Sequence, residues 1–269
     1  MTPSRRTKII ATVGPACDTV EGLARLIRAG VNVFRLNMAH GDIESHTARV
    51  RQIREAAASV GEPIGILADL AGPKLRLGKL ANGEVVCEPG DHLNLRRGAV
   101  AERPDEIVTE YDALLDEIVV GDRIVIGDGT IAMEVVEKSS EVARCLVHDG
   151  GTIRSRQGIA LPNTRLSIET IGPSDYAHAD WATSQNLDYV SLSFVRHAGD
   201  LRQLRRHLQQ AHSSAAIIAK IEKRESLDVL DEIVREADGI MVARGDLGLE
   251  VDIATTAMVQ KRIIDVCRK

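Results

Sequence analysis

The sequence predicts a parallel α/β architecture interrupted by a small, separate β-rich domain, and three patterns carry that prediction. Short β-branched runs begin near Lys8, Val31, Pro63, Asp188, Ala215 and Asp238, and longer segments of helical period lie between them. Such alternation builds parallel sheets covered by helices. Residues 79–162 abandon the alternation. There, short Val- and Ile-rich runs are separated by Gly90-Asp91, Gly121-Asp122, Gly127-Asp128-Gly129 and Gly150-Gly151, which are turn signals between strands. The third pattern is helix punctuation: the segments 19–29 and 43–60 run into Gly30 and Gly61, where a helix end favours a left-handed residue.

Taken in order, the run from Lys8 supplies a first strand, and the helix over 19–29 follows it. The runs from Val31 and Pro63 bracket the helix over 43–60. After the β-rich insertion the alternation resumes. Residues 226–237 carry Leu227, Leu230, Ile233, Val234 and Ala237 at helical spacing with charges elsewhere, which predicts one amphipathic helix. Residues 255–269 place Val259, Ile263 and Val266 on one face of a last helix. The predicted domains are therefore 1–78, 79–162 and 163–269, the first and third forming one α/β body.

Composition excludes several function classes. A net charge of −5 gives no reason to expect nucleic acid or an anionic membrane as partner. No apolar run approaches the roughly 20 residues of a membrane helix. The basic residues 1–8 are followed by no apolar stretch and cleavage site, so no signal peptide is expected. Cys17, Cys87, Cys145 and Cys267 are scattered without C-x-x-C spacing, the pattern of reduced thiols in a cytoplasmic protein. Aromatics make up 2% of the chain, so the core must come from Ile, Leu, Val and Ala, and recognition by base stacking is not expected.

The chemistry-bearing residues lie late in the chain. Lys220 and Glu222 close the apolar run 215–221, and residues i and i+2 of a strand point to one side. Asp246 follows the next such run, 239–243, inside Arg244-Gly245-Asp246-Leu247-Gly248. Taken singly, these pieces would be a surface ion pair and a Gly-Asp turn. In this order, Lys220-Ile221-Glu222 and Met241-Val242-Ala243-Arg244-Gly245-Asp246-Leu247-Gly248 resemble the motifs of the pyruvate kinase family. Thr7-Lys8-Ile9-Ile10-Ala11-Thr12-Val13-Gly14-Pro15 is similar to that family's opening strand. Arg35-Leu36-Asn37-Met38-Ala39-His40-Gly41 resembles its Arg-x-Asn-Phe-Ser-His-Gly, and Asp69-Leu70-Ala71-Gly72-Pro73-Lys74-Leu75-Arg76 its Asp-Thr-Lys-Gly-Pro-Glu-Ile-Arg. Ser191-Leu192-Ser193-Phe194-Val195-Arg196 completes the series.

The resemblance implies a (β/α)8 barrel whose inserted β domain closes over the site as a lid. It implies phosphoryl transfer between phosphoenolpyruvate and ADP, giving pyruvate and ATP in glycolysis. By the same resemblance Glu222 and Asp246 are the ligands of Mg²⁺ (or Mn²⁺), a hard cation often held by one or two carboxylates. Lys220 stabilises the transition state, and Arg35 acts beside it on the phosphoryl group. Gly245 and Asp246 offer backbone amides to the substrate carboxylate, as the first turn of a helix can. Asn37, His40 and Arg76 serve the nucleotide side; His40 without its motif would be an ordinary loop histidine.

Three departures from the family pattern stand out. The family's monovalent-cation site is altered: Asn37 and Asp69 persist, but Leu70 and Ala39 replace hydroxyl residues and Lys74 replaces a glutamate. Read alone, Lys74 is a solvated loop lysine. Beside the lost hydroxyls it is a replacement for the cation's single charge, and K⁺ is not expected to be required. At the end of the β domain, Gln157-Gly158-Ile159-Ala160-Leu161-Pro162-Asn163 carries a neutral Gln157 where the family has a nucleotide-binding lysine, which predicts weaker ADP binding. Finally, six strand–helix units can be counted, and fewer residues lie outside 79–162 than the roughly 200–250 of a (β/α)8 barrel. The expected fold is thus an incomplete barrel, open at its first and sixth strands and prone to self-association there. Two other readings remain beside the kinase: an inactive fragment that binds metal, a carboxylate or a protein, and a barrel used for aldolase-type enolate chemistry. The last leaves Arg35, His40 and Arg76 without a purpose.

Overall fold

The computed structural model describes residues 6–127, 129–162, 164–251 and 253–269. Residues 1–5, Asp128 of the Gly127-Asp128-Gly129 signal, Asn163 of the 157–163 motif and Asp252 lie outside the described residues. The chain opens with β1 (Ile10–Thr12), α1 (Val20–Arg28), β2 (Val33–Asn37), α2 (Ile43–Val60) and β3 (Gly65–Asp69). Then come β4 (Glu84–Cys87), β5 (His92–Arg97), β6 (Glu106–Thr109), α3 (Leu114–Glu117), β7 (Arg123–Ile126) and β8 (Ile131–Lys138). These are followed by β9 (Val142–Asp149), β10 (Gly151–Arg154) and β11 (Ile159–Ala160). The chain continues with α4 (Pro173–Ser184), β12 (Tyr189–Leu192), α5 (Ala198–Gln210) and β13 (Ala216–Ile221). It closes with α6 (Leu230–Glu236), β14 (Gly239–Val242), α7 (Arg244–Val251) and α8 (Ile253–Cys267).

Contacts group the chain into two units. One comprises Met1–Gly72, Thr170–Ile221 and Val229–Met241; the other comprises Pro73–Glu169, Glu222–Asp228 and Val242–Lys269.

The first unit is built on a sheet of order β1-β2-β3-β12-β13-β14. The pairs β1–β2, β2–β3, β3–β12 and β12–β13 are parallel. All six strands fall where the sequence places them. Helix ends are fixed as the glycines predict. After α1, Gly30 takes a φ of 107°; its N–H reaches the Ile27 carbonyl at 2.8 Å and that of Val31 reaches Leu26 at 3.1 Å, a Schellman closure. α2 stops at Gly61, with φ 78°. At their N-termini, α4 and α5 use the carboxylates of Asp175 and Asp200, which accept the backbone N–H of Gly172 and of His197. The register sets Asn37 opposite Asp69 and Asp69 opposite Ser191. The C-terminal ends of β2, β3 and β12 therefore stand level, the end of a parallel sheet where catalytic groups collect.

In the second unit, the β domain has a six-stranded sheet of order β11-β7-β8-β9-β5-β6 and a two-stranded β10–β4 ribbon. Its own buried core runs from Leu75 through Leu95, Ile124, Met133 and Val147 to Leu161.

One helix differs from expectation. The stripe over 226–237 is not a single helix: a 3₁₀ turn spans Arg224–Leu227, and α6 starts only at Leu230. Ser226 directs its hydroxyl to the Lys223 carbonyl at 2.6 Å, and Val229 leaves helical geometry at φ −120°, ψ 25°. A short polar side chain that bonds locally competes with the helix ladder.

Candidate functional site

In the first unit the site grows from the alternation of β2. Phe34 and Leu36 are buried, so Arg35 and Asn37 share the other face. Asp69, at the end of β3, is 1% exposed and serves as the hub. Arg35 donates from Nε to Asp69 Oδ2 at 2.7 Å and from Nη2 to the same oxygen, while its Nη1 reaches Thr12 Oγ1 at 2.9 Å. Lys220, near the end of β13, lies 3.3 Å from Asp69 Oδ1 and 3.4 Å from Oδ2. Ser191 donates to Asp69 Oδ1 at 2.6 Å. One carboxylate thus balances two cations where both are largely shielded from water, and such burial is tolerated only with every lone pair employed. Asn37 turns its Oδ1 to the Ala39 N–H at 3.1 Å, shaping the loop that carries the exposed His40. Leu70 is fully buried.

In the second unit, Glu222 is 1% exposed, and Gly245 and Asp246 fall in the first turn of α7. Two contacts tie the segment after Glu222 to that helix. Glu250 of α7 pairs with Lys223, and its Oε2 accepts the Arg224 N–H at 3.4 Å. Burial pushes the Glu250 carboxyl up, and Lys223 opposes that push. Lys74 Nζ stands 4.0 Å from Asp246 Oδ1. It runs close to Gly158, where a Cβ would lie 3.0 Å from Lys74 Cε. Arg76 donates to the Arg156 carbonyl at 3.2 Å. Gln157 Oε1 accepts the Arg154 N–H at 2.7 Å, so its side-chain oxygen is used within its own turn. Among the described residues no group of three or more metal-ligating side chains is assembled. The carboxylates Glu222 and Asp246 are a donor set that suits Mg²⁺, which keeps several waters and takes few protein ligands.

Sequence reading brought Arg35, Asp69 and Lys220 forward separately and did not foresee that they meet. It passed over Thr12, Ser191 and Ser193 as participants. The available signal was the spacing of Ser191 and Ser193: hydroxyls two apart at a strand end point to one side, and the next strand carries Lys220 near its end.

Parallel strands with charged groups gathered at their C-terminal ends are the arrangement in which barrel folds place their functional sites. The family model described as "Pyruvate kinase, barrel domain" matches residues 4–269. Pyruvate kinase of Bacillus licheniformis is 38% identical over 98% of this chain and 46% of its own length. Pyruvate kinase 2 of a Synechocystis species is 40% identical over 97% of this chain and 45% of its own. The crystal structure of a pyruvate kinase from Cryptosporidium parvum superposes with a TM-score of 0.93 at 35% identity, covering 98% of this chain and 55% of that one. The chain belongs to the pyruvate kinase family, and its fold is an incomplete (β/α)8 barrel with an inserted β domain. It spans about half the length of the curated relatives it matches. Among the described residues no helix is long and apolar enough to cross a membrane.

Proposed function

We propose that this chain carries the phosphoryl-transfer site of a pyruvate kinase, moving phosphate between phosphoenolpyruvate and ADP. The observation that supports it most is the shared hub: Arg35 and Lys220 are both anchored on Asp69 at the ends of parallel strands. Phosphoryl transfer asks a protein chiefly for fixed positive charge and positioning. In this reading Lys220 steadies charge on the transferring group and on the enolate, and Arg35 holds the phosphoryl oxygens. The Gly245 and Asp246 amides at the start of α7 seat the substrate carboxylate. Glu222 and Asp246 hold Mg²⁺ or Mn²⁺, which would supply neutralisation of phosphate charge when bound. Asn37, His40 and Arg76 bind the nucleotide. Lys74 provides the charge that K⁺ supplies elsewhere in the family, as the replacement for a former cation site of Asn37, Asp69 and Leu70. The β domain, residues 79–162, acts as the lid between barrel segments 1–78 and 163–269.

Mn²⁺ titration followed by water-proton relaxation tests the metal assignment. Glu222→Gln and Asp246→Asn are each expected to weaken binding strongly; unchanged affinity in both overturns it. In any preparation with turnover, pyruvate formation is expected to proceed in tetramethylammonium buffer without KCl. A many-fold, K⁺-specific activation would remove Lys74 from its proposed role.

A further inference from the structure

Ser193 lies in the turn after β12 and is 2% exposed. Its hydroxyl donates to the Leu70 carbonyl at 2.6 Å and accepts from Lys220 Nζ at 2.7 Å. A serine hydroxyl has one proton; with that proton committed to Leu70, only lone pairs face the ammonium. Asp69 receives the same ammonium from another direction, at 3.3 Å. Two fixed acceptors restrict rotation about the Cε–Nζ bond and hold the ammonium in one place.

The backbone around Ser193 is closely held. Phe194 has φ 55°, a left-handed conformation that a bulky residue keeps only where its surroundings hold it there. Gly72, at φ 64°, packs so closely that a Cβ there would lie 3.1 Å from both the Cβ and the carbonyl oxygen of Ser193. Phe194 and Gly72 thus fix the backbone that carries Ser193, whose hydroxyl connects the residue after β3 to Lys220. We propose that Ser193 is a positioning residue for Lys220: a one-directional acceptor that holds the ammonium in place. Its consequence for catalysis rests on the phosphoryl-transfer reading above; the tether itself does not.

Pulsed acylation of lysines, read by mass spectrometry, tests the tether without requiring activity. Lys138, which donates to the carbonyls of Asp116 and Ile118, serves as internal reference. Ser193→Ala should raise the labelling rate of Lys220 roughly fivefold or more, as local opening becomes easier, and leave Lys138 within about twofold. Ser193→Cys keeps the shape but offers sulfur, a weak acceptor. It should release Lys220 as the alanine does, which also covers a failure of the alanine variant to fold. Unchanged Lys220 labelling in the cysteine variant overturns the proposal, and so does a rise shared equally by Lys138. Where turnover can be measured, Ser193→Ala should lower kcat about tenfold with KM for phosphoenolpyruvate nearly constant; a change in KM alone also overturns it. Wild-type protein with a protected Lys220, but with Mn²⁺ affinity unchanged by Glu222→Gln and by Asp246→Asn, would defeat the proposed metal site and leave the tether standing.

Discussion

At the scale of single residues, the protein keeps its polar groups in two kinds of burial. Asp69 is buried with all its partners present. His46 on α2 is also buried, yet its Nε2 has no hydrogen-bond partner, and neither does Nδ1 of His178. Burial first, and the Arg49 guanidinium second, hold the His46 imidazole below its ordinary value of 6.5; His178 adds to this, while the His40 backbone and Asp42 oppose it. The folded state therefore resists a proton that the unfolded chain accepts near pH 6.5. Stability should be full above that pH and fall as pH drops through 6.5 toward the lowered folded value. Urea unfolding at about pH 7.5 and about pH 5.5 checks this, with His46→Gln expected to lose part of the pH dependence. Identical slopes in both proteins would assign the acid sensitivity to other groups. The residues of the hub were legible one by one, because Arg35, Asp69 and Lys220 each sit in a recognisable motif. Their meeting was not, because it depends on which residues stand level across β2, β3, β12 and β13, and register is set by the assembled sheet.

At the scale of elements, strand positions and helix stops were legible because they are local: β-branched runs, caps and left-handed glycines act within a few residues. The break at 228–229 was missed because the hydrophobic stripe continues through it, while the Ser226 bond that competes with the helix leaves no mark on periodicity. The glycines allow a graded test. An added Cβ at Gly61 meets nothing within 4 Å, so Gly61→Ala should cost only the left-handed backbone penalty, about 1–2 kcal/mol. Gly72 is also left-handed, but its Cβ would lie 3.1 Å from Ser193 Cβ and from Phe194 Cδ2. Gly72→Ala should therefore cost more, and it should loosen Lys220 as the Ser193 variants do. Urea midpoints at constant m-value measure the difference; equal costs would mean that the β3–β12 contact yields without strain.

At the scale of the whole molecule, the two units differ in how their cores are closed along the chain. The parallel sheet draws strands from across the sequence, whereas the core of the β domain lies wholly between Leu75 and Leu161. Its entering and leaving strands bond to each other: Leu77 N–H reaches the Gln157 carbonyl at 2.9 Å, and Ile159 N–H reaches Leu75 at 3.0 Å. The ends of the domain are thus adjacent, the arrangement that permits excision. The returning chain is fastened once more, as Leu166 and Ile168 pack on the same core and Tyr111 reaches Ser167 Oγ at 3.2 Å. A piece spanning residues 74–169 exceeds the size at which a single core becomes marginal, about 60 residues. Its strands, antiparallel except for the parallel β5–β6 pair, all find their partners within the domain. The buried thiols report on the same core: burial pushes Cys145 up to about 12 and raises Cys87, so in folded protein both should resist maleimide. The excised piece is expected to unfold cooperatively on heating, to give a dispersed amide NMR spectrum, and to protect both thiols until it melts. A collapsed spectrum with both thiols reacting at once would show that the β domain depends on the rest of the chain for its fold.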